Sequence, residues 1–173
     1  MKLEKRLVKH RTGILKKWFD RLVETYPQDT AMFLKEQKDS FANPAGTTFQ
    51  ESLGPLFDWL LGKGDKQTVL VALDPIIRIR AIQDFTPARA TAFVLLLKPI
   101  IRDIAAKSES PVELQEMEDR VDEMLLMAFD KFIECREKIY ELKVSTERNK
   151  IYSAFSRAGL VYNIPENGPE IIR

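Results

Sequence analysis

One histidine, His10, and one cysteine, Cys135, are the whole stock of imidazole and thiol in 173 residues. A zinc centre needs several such ligands, a catalytic triad needs a histidine between acid and nucleophile, and a disulfide needs two cysteines. His10 stands between Lys9 and Arg11 in a charged opening segment, a surface setting and not the buried pocket a haem requires. Cys135 falls on an apolar stripe, where a buried, inert thiol is expected over a redox sensor. Carboxylates cluster at Glu113, Glu116, Glu118, Asp119, Asp122 and Glu123. They suggest a metal site or an acid/base pair, but no histidine completes a Glu-x-x-His pattern. They also occupy the first turns of a helix, where the macrodipole favours negative charge. The expectation is a solvated helical face, no metal, no cofactor and no catalytic residue.

Lys and Arg number 27 against 26 Asp and Glu, for a formal charge of +1. A nucleic-acid binder would normally carry a basic excess, so that class loses ground. The balance conceals an asymmetry. Through Arg21 there are eight basic and two acidic residues, whereas Glu109 to Glu141 holds eleven acidic and four basic. The two segments could meet an acidic and a basic surface on partners, or pair with each other within one chain or across a dimer. The longest aliphatic run, Ala92 to Leu97, is far short of the roughly 20 residues that span a bilayer. No apolar leader follows the charged start, so no membrane insertion and a cytoplasmic location are expected.

The elements that would position any site read as helices throughout, with only 7 glycines and frequent three-four spacing. A first stripe runs through Leu7, Ile14, Leu15, Trp18, Phe19 and Leu22, with Gly13 as a potential break, and stops at Tyr26-Pro27. A short helix follows with Met32, Phe33 and Leu34. Residues Asp39 to Gly46 read as an ordered loop, and Thr47 or Thr48 as the cap of the next helix, with Pro55 kinking it or starting a second piece. Gly62-Lys63-Gly64 is the clearest turn. Asp65 caps a helix to Leu73, Asp74-Pro75 restarts it, and Thr86-Pro87 opens a helix running to about Lys107 with a kink at Pro99. Ser110-Pro111 opens the last long helix, with Glu113 placed as in a capping box. After Arg148 a weaker piece, Ile151 to Leu160, precedes a tail. The fold class is all-α, seven or eight helices. Prolines 75, 87, 99 and 111 stand twelve apart, too short a period for a helix-pair repeat.

On the last long helix Met117, Val121, Met124, Ala128 and Phe132 form a heptad-like stripe, suited either to the core or to a dimer seam. The aromatics Trp18, Phe19, Phe33, Phe41, Phe57 and Trp59 form a plain core or the wall of an apolar ligand cavity.

One stretch is more specific. Ile14-Leu15-x-x-Trp18-Phe19, Thr25-Tyr26-Pro27-x-x-Thr30-Ala31-x-Phe33-Leu34 and Lys38-Asp39-x-Phe41-Ala42-Asn43-Pro44-x-Gly46 together resemble the N-terminal domains of RsbT co-antagonist proteins, the RsbRD N-terminal family. The resemblance covers roughly residues 5 to 145. It implies a globin-like fold without haem, usually dimeric, serving as an input module of stressosome-type signalling. On that reading residues 1–148 form the domain and 149–173 an extension, a short docked helix plus tail. The family's full architecture adds a STAS domain, of which this chain shows no strand–helix pattern. The family supplies no catalytic residues. Trp18, Tyr26, Phe33, Lys38, Asp39, Phe41 and Asn43 are the candidate motif or ligand region, to be sought between the loop and Trp18. The expected function is a non-catalytic, homodimeric sensor or protein-interaction domain with a signalling partner. The alternative is a binder of an apolar small molecule, such as a fatty acid, within the helical core.

Overall fold

Apolar residues at three- and four-residue spacing fold into eight helices among the described residues of a computed structural model, namely 2–83, 85–106 and 111–160. They are α1 (Lys2–Lys9), α2 (Arg11–Val23), α3 (Gln28–Glu36), α4 (Pro44–Leu60), α5 (Lys66–Ile82), α6 (Pro87–Thr91), α7 (Leu97–Ala105) and α8 (Pro111–Arg157). The all-α expectation is met. Two compact units divide the chain, Met1–Arg136 and Glu137–Arg173. In the first, α4 packs along α5, α2 lies against α3, α4 and α7, and α1 meets α7. Trp18, Phe49, Phe57, Phe93 and Phe132 fill its core.

Several boundaries differ from the sequence expectation, each for a local reason. The first stripe breaks at His10, whose N–H bonds the carbonyls of both Arg6 (3.0 Å) and Leu7 (3.2 Å), and Gly13 lies inside α2. Helix α4 begins at Pro44 with Asn43 as its cap, four or five residues before the expected caps Thr47 or Thr48. No restart falls at Asp74-Pro75, because Pro75 sits inside the continuous helix α5, and Pro55 lies inside α4 and starts no second piece. The helix opened by Thr86-Pro87 ends after five residues, and α7 starts afresh at Leu97. No break falls near Arg148, because α8 continues to Arg157. The expected cap Ser110 and the tail 161–173 lie outside the described residues.

Other expectations hold. Gly62 and Gly64 take φ of 80° and 85°, the left-handed region that disfavours a side chain. Asp65 accepts from the Thr68 N–H at 2.9 Å, and Thr86 from the Arg89 N–H at 3.3 Å. Cys135 is buried and free, and burial pushes its thiol pKa up, in the direction away from a reactive thiolate.

Helix ends leave unpaired carbonyls, and in the first unit arginines from neighbouring helices take several of them. Arg120 of α8 donates to Leu60 O (3.0 Å) at the end of α4, and Arg136 to Ala81 O (2.9 Å) near the end of α5. The acidic face of α8 meets α7, through Glu118–Arg102 (2.5 Å) and Asp122–Lys98 (2.7 Å). Glu113 reaches the start of α1, accepting from the N–H groups of Leu3 (2.7 Å) and Lys2 (3.2 Å).

Candidate functional site

The family-like motif of residues 38–46 folds into a latch. Asn43 is buried, and its side chain acts in three directions. Its Nδ2 donates to Leu34 O (3.1 Å), in the last turn of α3, and to Gln37 O (3.0 Å). Its Oδ1 accepts from Gly46 N (2.9 Å), in the first turn of α4. One amide thus closes α3, the loop and α4. Pro44 suits the first helical position because no N–H is needed there. Gly46 is required by space, since a Cβ would stand 2.7 Å from Asn43 Oδ1 and 2.8 Å from its Cγ. Asp39 organises the rest of the loop. Its Oδ1 accepts from Phe41 N (3.0 Å) and its carbonyl from Asn43 N (2.8 Å).

A second cluster centres on Arg80, which is fully buried. Its Nη1 donates to Arg89 O (3.1 Å) and Ala90 O (3.3 Å), and its Nη2 to Leu22 O (3.2 Å) and Thr25 Oγ1 (2.7 Å). These oxygens belong to the C-terminal ends of α6 and α2 and to the turn after α2, where the helix dipoles are negative. The rings of Phe85, Tyr26 and Phe93 surround the guanidinium at 5.0, 5.2 and 5.3 Å, within cation–π range. Among the described residues no carboxylate pairs with it. Burial therefore pushes its pKa down, although an arginine stays charged across the accessible range. The Tyr26 hydroxyl and the Arg80 Nε are both buried outside the hydrogen bonds above, and the hydroxyl lies beside the guanidinium and interacts with it. Burial raises the phenol's pKa, and the nearby guanidinium offsets part of that rise.

Beside this cluster lies a cleft of about 330 Å³, with Tyr26 and Phe85 in its wall and Arg89 at its edge. A larger groove of about 540 Å³ runs between α4 and α5, with Pro55, Val71 and Ala72 among its lining residues. Among the described residues no group of three or more His, Cys, Asp and Glu could hold a metal ion.

The structure separates the expected motif residues into these two clusters. Trp18 is fully buried, stacked on Phe93 at 6.3 Å, and its Nε1 donates to Phe93 O at 2.7 Å. Tyr26 joins the same cluster, with its ring edge against Phe85 (5.2 Å) and near Phe49 (6.0 Å). Asn43 and Asp39 build the latch. Lys38 is exposed, Phe33 is 49% exposed and Phe41 95% exposed. The indole of Trp18 is thus closed off by Phe93, and the open space lies next to Tyr26.

The stripe Met117, Val121, Met124, Ala128 and Phe132 is at most 2% exposed. The structure places it in the core, the first of the two roles its spacing allowed. In the first unit, Leu126 and Phe129 lie on the outward face of α8. In the second unit, Val144, Ile151 and Phe155 are exposed to 67%, 56% and 49%, and steps of seven and four put them on one side of the helix.

Sequence reasoning passed over Arg80, Phe85, Arg89 and Phe93. A signal for Arg80 exists, because it continues the inward stripe Val69, Ala72, Leu73, Ile76 and Ile77 of α5. A cation at a core position of an amphipathic helix demands local acceptors.

Asp39 and Asn43 thus build the latch and Trp18 and Tyr26 the core cluster, while Phe33, Lys38 and Phe41 stay exposed. The family model of the RsbT co-antagonist protein rsbRD N-terminal domain matches residues 12–143. The chain belongs to that family. The matched span takes in both clusters, from α2 to the middle of α8. An uncharacterized protein of Archaeoglobus fulgidus is similar to this rsbRD-type chain, 26% identical over 140 residues, which cover 78% of this chain and 82% of the relative. No solved structure matches it. The family is one of regulatory signalling domains, and no described helix of this member is long and apolar enough to cross a membrane.

Proposed function

We propose that the chain is a non-catalytic input domain of stressosome-type signalling, a globin-like bundle without haem that works as a homodimer in the cytoplasm. Family membership over residues 12–143 supports the signalling role. The observation that carries the pairing is the apolar side of residues 137–157. Helices in proteins draw most of their stability from packing an apolar face, and Val144, Ile151 and Phe155 are all solvent-facing there. A second copy supplies the matching surface, as in a two-helix seam. The signal then passes as a change in helix packing at that seam. Residues 1–148 serve as the sensing body and the remainder as its extension, and a signalling protein would read the paired state.

Hydrogen exchange at two protein concentrations tests this reading. Protection of the amides of 137–157 should rise with concentration, while that of the buried α4 and α5 amides should not. Equal protection of 137–157 at both concentrations, in a monomeric sample, would refute pairing through this segment.

The apolar-ligand reading, set within the helical core, has one supporting feature, an open groove between α4 and α5 whose exposed surface is mostly apolar although Glu51, Ser52, Asp65, Gln67 and Thr68 also line it. Native mass spectrometry of freshly purified protein tests it. Retained lipid mass that disappears on filling the groove with Ala72→Phe would support it, and protein of unliganded mass would remove it.

A further inference from the structure

The groove between α4 and α5 carries polar groups that the packing of the two helices does not use. Pro55, Val71 and Ala72 give it apolar surface, and Glu51, Ser52, Asp65, Gln67 and Thr68 stand around them. Ser52 is only 7% exposed, lines the groove and takes part in no hydrogen bond among the described residues. A hydroxyl within a helix can return its proton to a carbonyl one turn back, as Thr47 and Thr91 do toward Asn43 O (3.1 Å) and Pro87 O (2.9 Å). Ser52 does not, which leaves a sheltered hydroxyl with its acceptor capacity unspent at the groove.

The charge of the lining has one sign. Glu51 is exposed and, among the described residues, pairs with no cation. Asp65 uses its Oδ1 to accept from the N–H and the hydroxyl of Thr68 (2.9 and 2.8 Å). Those bonds hold its carboxyl below the usual carboxylate range, so it is ionised at neutral pH with its second oxygen outside them. None of the eight lining residues is a cation, and none is aromatic. Lys66 follows Asp65 in the chain but is not among them. The volume, about 540 Å³, falls within the range of small-molecule sites.

We infer that this groove binds a small aliphatic ammonium ion, with its charge beside Glu51 and its hydrocarbon part on Pro55, Val71 and Ala72. The Ser52 hydroxyl accepts one ammonium N–H, and the Glu51 carboxylate accepts another in a charge-assisted hydrogen bond. Asp65 adds attraction through its field. A quaternary ammonium is recognised by an aromatic cage, which this lining lacks, so its acceptors call for an amine that carries N–H. The inference stands apart from the dimer reading, since none of these residues lies in 137–157. It also names a different headgroup from a fatty acid, whose carboxylate would meet two others at this groove.

The test is a titration of the ¹⁵N-labelled full chain at neutral pH, followed by amide chemical shifts. Hexylammonium is the probe, hexanol its uncharged counterpart and hexanoate its anionic one. Hexylammonium should give saturable shifts at the amides of 51–54 and 65–72. It should bind about fivefold more tightly than hexanol, the upper worth of an exposed ion pair, and hexanoate more weakly than either. Glu51→Gln should remove most of that advantage, and added salt should do the same. Asp65→Asn keeps a residue that caps a helix equally well. In the double variant Glu51→Gln with Asp65→Asn the preference for hexylammonium over hexanol should vanish, with the rest of the spectrum in place. Absence of saturable shifts with hexylammonium would overturn the inference. So would equal binding of hexanol, tighter binding of hexanoate, or a double variant that keeps the preference.

Discussion

Substituting Asn43 by Asp separates two accounts of the loop. If Asn43 were only the cap of α4, Asp would serve equally, because the two rank together at N-cap positions and a negative charge suits a helix start. The latch makes a different demand. The amide donates from Nδ2 to Leu34 O and Gln37 O at 3.1 and 3.0 Å while being only 2% exposed. Asn43→Asp keeps the bond from Gly46 N but removes both donations, each worth about 1 kcal/mol. It also sets a carboxylate oxygen against two carbonyl oxygens in a buried site, which adds at least about 1 kcal/mol more. The expected loss is about 3 kcal/mol, close to that of Asn43→Ala, which loses three bonds of about 1 kcal/mol each. For a chain of this size that corresponds to a fall in Tm of about 6–12 °C. Urea unfolding followed by circular dichroism, with an unchanged m-value, is the assay. The pH dependence carries the same signature. The introduced carboxyl would have its folded pKa raised by burial and the facing carbonyls. Its deficit relative to the parent should therefore be smallest at low pH, where it is protonated and can donate once, and should grow as the pH rises through that value. An Asn43→Asp protein within about 0.5 kcal/mol of the parent, beside an Asn43→Ala protein losing about 1 kcal/mol, would reduce Asn43 to a cap and refute the latch.

Other consequences follow from the same geometry. Gly46→Ala should destabilise despite alanine's better helix propensity, because its Cβ meets the Asn43 amide; thermal melting checks this, and a raised Tm would contradict it. Arg80→Met should cost about 2–4 kcal/mol by leaving helix-end carbonyls without their donor, measured by urea unfolding together with a red shift of Trp18 emission; parent-like stability would show that the cation is dispensable. The Leu3 N–H bond, with that of Lys2, holds the Glu113 pKa below the ordinary carboxylate range. Its contribution is then fully present above the unfolded-state value and is lost as the pH falls through the lowered folded one. Glu113→Gln should accordingly make the melting temperature less sensitive to acid between pH 5 and pH 3, and an unchanged acid slope would count against it.

Much of the fold was legible in the sequence because its stops are chemical. Gly62 and Gly64, Asp65 and Thr86-Pro87 mark boundaries through φ, capping and a missing N–H, which are local properties. The misreadings arose where tertiary contacts decide. Pro75 lies within a continuous helix and restarts nothing, and α8 passes Arg148 without a break. Asn43 capped α4 where a threonine was expected, because its amide has further partners on α3 that no local pattern displays. The candidate site was half legible. Tyr26 and Asn43 stand out in the family-like motif, but the acceptors that hold Arg80 come from the ends of α2 and α6 and the turn after α2, over fifty residues apart in the chain. The five-residue stripe from Met117 to Phe132 was read correctly as apolar, but spacing alone does not tell an inward face from an outward one.

The proposed function rests on a second copy covering the apolar side of residues 137–157. Sedimentation equilibrium of the full chain across micromolar concentrations tests it most directly, with the double substitution Val144→Glu and Ile151→Glu alongside. Pairing through this segment gives a particle of twice the 20.0 kDa chain mass for the parent, and a monomer with unchanged helical content for the variant. A parent that stays monomeric throughout, or a variant that dimerises as tightly as the parent, would contradict it.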